Sequence, residues 1–278
     1  MPELPEVESA RRQIAPAMVR ARITGVDLRR PDLRRPFPRH FARRLTGQTV
    51  VALTRRAKYL LASLSSRETL LMHLGMSGSF RVVSNPKTQS RNPKRRTDPH
   101  DHVILHMSSG KAVVFNDPRR FGVMDLVRAG ELEKHPVLSR LGPEPLSSDF
   151  DGTALARACH GKKTSLKAAL LDQRVVAGLG NIYASEALHV AGLSPRRPAS
   201  ILATHSGSPR EAAHRLAAAI KAVLEEAVSR QMNEAYQDQP FKVYDREDEP
   251  CPKKNCLGTI RRREQGGRST FYCGVCQR

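Results

Sequence analysis

Four of the five cysteines fall in the last 28 residues, spaced Cys251-x4-Cys256-x16-Cys273-x2-Cys276. Two cysteine pairs in tight turns, separated by the length of a β-hairpin, can close a tetrahedral thiolate cage around zinc. Four cysteine ligands leave no open coordination position, so the expectation is one structural Zn2+. A unit this small has almost no core and depends on the metal to fold. Clustering of this kind in an odd cysteine count points to a metal site in a reducing compartment, not to a disulfide framework. The hairpin between the pairs carries Arg261, Arg262, Arg263 and Arg268, a basic surface of the kind that lies against nucleic acid.

At the other end the chain reads Met1-Pro2-Glu3. Removal of Met1 by a methionine aminopeptidase would expose the secondary amine of Pro2. An α-amino group titrates near pH ~8, so part of it is free base at neutral pH. Such an amine can attack a sugar carbon and form an imine, with Glu3 beside it to move protons. Pro2-Glu3 could equally be a simple helix lead-in. Two further motifs stay similarly open. Gly178-Leu-Gly180-Asn181 is either an ordinary turn or a helix N-terminus that grips a phosphate. Asp117-Pro-Arg119-Arg120-Phe121-Gly122 is either a β-turn with Phe121 in the core or a wedge for stacked bases.

These residues must be held by a frame, and the patterning outlines one. Pro5 to Ile14 predicts an opening helix, with Pro5 in its first turn and Glu6 and Glu8 where the macrodipole favours acids. Eight short strands follow at Ile23–Leu28, Thr49–Arg55, Tyr59–Leu64, Thr69–Leu74, Ser79–Val83, His102–Met107, Lys111–Phe115 and Val123–Val127. Their density suggests a β-sandwich or barrel. Ser84 to Asp101 is a basic, Pro-rich insertion, read as a solvated loop. Glu131 to Asp149, with three prolines, marks a linker. Helices are predicted at Gly152–His160, Ser165–Leu171, Asn181–Ala191 and Pro209–Arg230.

The 278 residues carry 47 Lys and Arg against 27 Asp and Glu, a formal charge of +20, with 39% hydrophobic residues. That composition fits a soluble globular chain and excludes disorder along its length. It points to a polyanionic partner, most simply nucleic acid. Aromatics at 5% and no Trp disfavour an RRM-type stacking platform. No apolar run reaches the ~18 residues of a membrane helix. The N-terminus lacks the apolar stretch of a secretory signal, so a cytoplasmic location is expected.

Taken in order, Met-Pro-Glu-Leu-Pro-Glu-Val-Glu at 1–8, Arg56-Ala-Lys58-Tyr-Leu, His73-Leu-Gly-Met76-Ser-Gly, Asp117 to Gly122, Lys167 with Gly178 to Glu186, and Gly267 to Cys273 resemble the formamidopyrimidine-DNA glycosylase (Fpg) family and its relative endonuclease VIII. Leu4 and Val7 favour the Fpg branch. The resemblance spans essentially the whole chain. It implies an α+β fold. A β-sandwich with flanking helices at 1–130 and a linker at 131–149 would precede a helix–two-turns–helix DNA-binding domain at 150–240 and a zinc-finger β-hairpin at 241–278.

The implied activity is a bifunctional DNA glycosylase and abasic-site lyase of base excision repair. It would act on damaged double-stranded DNA as a monomer associated with the nucleoid. The base is flipped out because a stacked base hides its glycosidic carbon. Pro2 would be the nucleophile, Glu3 the acid/base, Glu6 the support of the N-terminal helix, and Lys58 a phosphate contact that aids catalysis. Met76, Arg119 and Phe121 would fill the gap left by the flipped base. Arg120, Lys167, Asn181 and Arg268 would bind phosphates or hold the lesion strand. Cys251, Cys256, Cys273 and Cys276 would bind zinc.

The chain departs from the family pattern twice. The first cysteine pair is spaced x4 instead of x2. The stretch Ala227 to Tyr244 is shortened and lacks a Gly-Gly-Thr-Thr-like segment that covers the flipped oxidised purine. The resemblance implies oxidised purines, formamidopyrimidines and 8-oxoguanine, as substrates, with strand cleavage by β,δ-elimination; the same chemistry on oxidised pyrimidines or abasic sites is the alternative that the altered stretch leaves open. A non-catalytic damaged-DNA binder is the competing class. A zinc-ribbon transcription factor would need a base-reading helix, and none is evident.

Overall fold

Helix α1 (Leu4–Met18) starts because Glu3, in extended conformation at the N-cap, gives its backbone N–H to Glu6 Oε2 at 2.7 Å. This is one arm of a capping box. The helix runs a turn past the expected Ile14 and contains Pro16. Its continuation buries Ala17 and Met18 completely or nearly so, which offsets the N–H that Pro16 lacks. The computed structural model describes residues 1–84, 98–230 and 241–278. Most of the basic insertion at Ser84–Asp101 and of the shortened stretch at Ala227–Tyr244 lies outside the described residues.

The chain divides into two compact units, Met1–Ser139 and Arg140–Arg278. In the first, the strands are β1 (Ile23–Leu28), β2 (Val50–Arg56), β3 (Tyr59–Leu64), β4 (Thr69–His73), β5 (Ser79–Ser84), β6 (Asp101–Met107), β7 (Lys111–Asn116) and β8 (Val123–Val127). They form two four-stranded sheets, ordered β1-β6-β7-β5 and β2-β3-β4-β8, antiparallel at every pairing. Leu60, Ala62, Leu70 and Met72 of one sheet share a core with Val103, Leu105, Val113 and Phe115 of the other, and Val7, Ile14 and Met18 of α1 join it. Each such side chain contributes on the order of 1.5–3 kcal/mol by leaving water. Leu61, Leu71 and Val127 face the other way, into a second small core covered by Leu132, Val137 and Leu138. Burial on both faces is why β3 and β4 read as continuous apolar runs instead of alternating. A short helix α2 (Phe41–Leu45), unforeseen in the Arg- and Pro-rich stretch after β1, plugs Phe41 and Leu45 into the same core.

The second unit carries α3 (Gly152–Cys159), α4 (Leu166–Leu171), α5 (Asn181–Ala191), a 3-10 turn at Ala199–Leu202, α6 (Glu211–Arg230), and the hairpin β9 (Ile260–Gln265) and β10 (Arg268–Cys273). Asp151 and Ser165 cap α3 and α4 through their side-chain oxygens. At Gly152 a Cβ would lie 2.4 Å from His214 Nδ1, so the glycine is what lets α3 approach α6 closely. The β9–β10 turn is Gly266-Gly267, both at positive φ, the conformation a two-residue hairpin loop requires.

Candidate active site and nucleic-acid interface

The N-terminal constellation is built by α1. Glu3 is buried, 3% exposed, with Pro2 beside it half-buried and Met1 exposed. The Glu3–Glu6 bond holds the first turn. Glu8, further along the helix, accepts from Arg11 Nη2 at 2.7 Å and Arg12 Nε at 2.8 Å. Burial would raise its pKa, but the two guanidiniums hold it below the usual carboxylate range. The first acidic pair therefore follows Pro2 closely, while Glu8 fastens the helix.

Lys58 sits in the tight β2–β3 turn, after Ala57 at φ 52°, and is only 5% exposed. Its neighbour Tyr59 pairs in register with His73, their rings 4.8 Å apart. Burial, then the charges of Lys58 and Arg34, push the His73 pKa down to about 4. His73 is therefore neutral at pH 7, and its Nδ1 accepts the Gly75 N–H at 3.0 Å. This histidine and Arg34 are site residues that sequence reasoning gave no role. His73 lay inside a quoted motif, but its burial beside two cations is a product of the fold.

The turn at Asp117–Gly122 resolves the choice left open for Phe121. Phe121 is 39% exposed, as is Met76, so it is not a core residue. The guanidinium carbon of Arg119 lies 4.9 Å from its ring centroid and that of Arg34 5.9 Å, within cation–π range. Asp117, fully buried, accepts from Ser77 Oγ at 2.6 Å and from the Gly122 N–H at 2.8 Å. Gly75, at φ 66°, runs so close to the turn that a Cβ there would lie 2.3 Å from the Phe121 carbonyl carbon. Met76, Arg119 and Phe121 thus project from two loops clamped together. Arg120, at φ 55°, points instead to Asp32, 3.9 Å away.

In the second unit, Asn181 opens α5 behind Gly180. Its Nδ2 donates to the Ser269 carbonyl at 2.9 Å. Lys167 is turned inward. It is 1% exposed, and its ammonium donates to the Ser269 carbonyl and Thr270 Oγ1, both at 2.8 Å. The side chain instead ties α4 to the β10 strand. Arg268, at the start of β10, is exposed. Glu186 of α5, another residue without an expected role, accepts the N–H groups of Lys242, Val243 and Tyr244 at 2.8–2.9 Å.

The four cysteine sulfurs all lie within 4.8 Å of one another. Cys251 and Cys276 are 3.7 Å apart, and Cys256 and Cys273 3.6 Å. A tetrahedron of ~2.3 Å zinc–sulfur bonds has sulfurs about 3.8 Å apart, so the cluster fits one metal ion despite the wider first spacing. Among the described residues no helix is long and apolar enough to cross a membrane.

Residues 1–124 match the family model of the formamidopyrimidine-DNA glycosylase N-terminal domain, and residues 141–237 that of the H2TH domain of the same enzymes. The formamidopyrimidine-DNA glycosylases of Bradyrhizobium sp. (strain BTAi1) and Rhodopseudomonas palustris (strain BisA53) are 56% and 57% identical, covering all of both chains. Each of these alignments spans 293 positions, 15 more than this chain has residues. Among solved structures, Lactococcus lactis Fpg bound non-covalently to DNA with an AP site is 28% identical, at TM-score 0.85 over 99% of each chain. The MutM (Fpg) protein of Thermus thermophilus is 37% identical, at TM-score 0.79 over 99% of this chain and 98% of that one.

Proposed function

The chain belongs to the formamidopyrimidine-DNA glycosylase family, and from that membership we infer how its own residues conduct the reaction. It is a DNA glycosylase of base excision repair, with damaged double-stranded DNA as partner. The observation that carries the mechanism is the buried Glu3, fixed by Glu6 and adjoining Pro2 in sequence.

Once Met1 is removed, the Pro2 nitrogen attacks C1′ of the damaged nucleotide. The nitrogen–C1′ bond forms, the glycosidic bond breaks, and the base leaves with a proton. Glu3 delivers a proton to the sugar ring oxygen as the ring opens to the iminium. Loss of a C2′ proton then expels the 3′ phosphate, and loss of the C4′ proton from the resulting conjugated iminium expels the 5′ phosphate. Water hydrolyses the remaining iminium and frees Pro2. Lys58 holds a phosphate beside the lesion. Met76, Arg119 and Phe121 occupy the space the extruded base leaves, with Arg119 facing the orphaned partner. Arg268 and the N-terminus of α5 at Asn181 grip the backbone.

Cys251, Cys256, Cys273 and Cys276 hold one zinc ion, which supplies no reaction step and folds the hairpin that carries Arg268. The charge of +20 makes binding steeply salt-dependent. The shortened Ala227–Tyr244 stretch leaves formamidopyrimidines, 8-oxoguanine, oxidised pyrimidines and abasic sites as candidate lesions.

Borohydride trapping on duplexes carrying 8-oxoguanine, an oxidised pyrimidine or an abasic site tests this reading, since reduction freezes the iminium as a protein–DNA adduct. The expected result is an adduct at Pro2, abolished when an extra residue is retained ahead of it. The duplexes that react define the lesion class. No adduct on any duplex would make the chain a binder and overturn the mechanism.

A further inference from the structure

We infer that His189 is a positioning residue for the metal centre, donating its Nε2 proton to the Cys251 thiolate and so locking the cysteine unit to helix α5. The inference rests on the reading that the four thiolates hold zinc. His189 lies in the last turn of α5 and is 4% exposed. Its Nε2 is 3.3 Å from Cys251 Sγ, within range for a hydrogen bond to sulfur. Its Nδ1 is buried and has no hydrogen-bond partner among the described residues. A buried N–H without an acceptor is costlier than a bare ring nitrogen, so Nε2, with Cys251 Sγ beside it, is the nitrogen placed to carry the donated proton. Four thiolates around a divalent ion carry an excess of two negative charges, and each N–H aimed at sulfur spreads that charge and fixes the ligand's direction. The x4 spacing makes this support useful. A four-residue knuckle between Cys251 and Cys256 constrains its first ligand less than a two-residue one, and His189 holds that first ligand from outside the knuckle.

The same helix makes two other attachments to the cysteine-containing segment, Asn181 to Ser269 and Glu186 to Lys242–Tyr244. His189 is the one of the three that touches a metal ligand itself. Metal retention and docking of the hairpin on α5 are thereby coupled.

The test uses the full chain. Metal analysis of the purified protein should give one zinc per chain. Nitrogen-15 spectra of the imidazoles in the unaltered zinc protein should show His189 protonated at Nε2 and bare at Nδ1. His189→Phe, which fills the space without a donor, should release zinc to 4-(2-pyridylazo)resorcinol about 10-fold faster. His189→Gln, whose amide can donate, should recover part of the difference. In the cobalt-substituted protein the thiolate-to-metal charge-transfer band should move to lower energy in His189→Phe and partly return in His189→Gln, a change that loss of packing alone does not produce. One zinc per chain with a proton on Nδ1, or with zinc release and cobalt spectra unchanged in His189→Phe, would overturn the inference and leave the zinc reading standing. A chain that binds no zinc would overturn both.

Discussion

Ser77 Oγ donates to the buried carboxylate of Asp117 at 2.6 Å, and this bond joins the loop that carries Met76 to the turn that carries Arg119 and Phe121. The other carboxylate oxygen takes the Gly122 N–H, so one side chain sets the geometry of both loops. Asp117→Ala would leave a buried N–H and a hydroxyl without their acceptor, at about 1–3 kcal/mol each. The expected outcome is a lowered melting temperature together with a loss of base excision. Ser77→Ala removes two bonds, the one to Asp117 and the Arg119 N–H that Ser77 Oγ accepts at 3.2 Å, and should cost about 1–2 kcal/mol. Thermal melts and single-turnover excision on the same samples check the pair. Equal stability in Asp117→Ala and wild type would refute the assignment.

Phe121 is exposed, so Phe121→Ala should leave stability within about 0.5 kcal/mol while weakening the extrusion step. A 2-aminopurine placed opposite the lesion should brighten on binding wild type, as its stacking is lost, and brighten less with the variant. Arg119→Ala should behave similarly, because the guanidinium stacks on the same ring.

His73 makes folding sensitive to acid. Its pKa falls from 6.5 to about 4 in the folded chain, so the unfolded chain takes up the proton first. Stability from this group is intact above pH ~6.5 and is lost as pH falls towards about 4, by roughly 3 kcal/mol in all. Protonation would also cost Nδ1 its role as acceptor for Gly75. Denaturant melts between pH 7 and 4 should show the decline, and His73→Gln should flatten part of it. An unchanged slope would show that another group is responsible.

Lys167 and Arg268 should separate in salt titrations. An arginine on a phosphate lowers the slope of log affinity against log salt by about one unit when removed, and Arg268→Ala is expected to do so. Lys167→Met should leave the slope unchanged and lower affinity through the loosened hairpin, since its ammonium lies on Ser269 and Thr270. A full unit lost in Lys167→Met would restore it as a phosphate ligand.

The β-strands, the cysteine hairpin and the main helices could be read directly from patterning, because alternation, glycine pairs and cysteine spacing are local signals. Helix α2 could not: its stretch is dense in Arg and Pro, and Phe41 and Leu45 are helical because a core elsewhere in the sequence receives them. The site divides in the same way. Motifs pointed to Pro2, Glu3 and the Arg119–Phe121 turn. The clamp by Asp117 and the inward turn of Lys167 depend on partners 40 and 102 residues away, and the neutral state of His73 on its burial in the fold and then on Lys58, 15 residues away. Nothing in a basic residue's local sequence tells whether its charge will meet a phosphate or a carbonyl.

Helix α5 meets its neighbours through Asn181, Glu186 and His189, which at 100° per residue occupy a sector of about 140°. A slip or bend that spares one of these attachments disturbs the others. In genetic terms the helix is pleiotropic: a single lesion in it should mimic defects in the backbone grip, in the hairpin and in metal retention at once. Second-site suppressors of hairpin mutations should accumulate on α5, not within the hairpin.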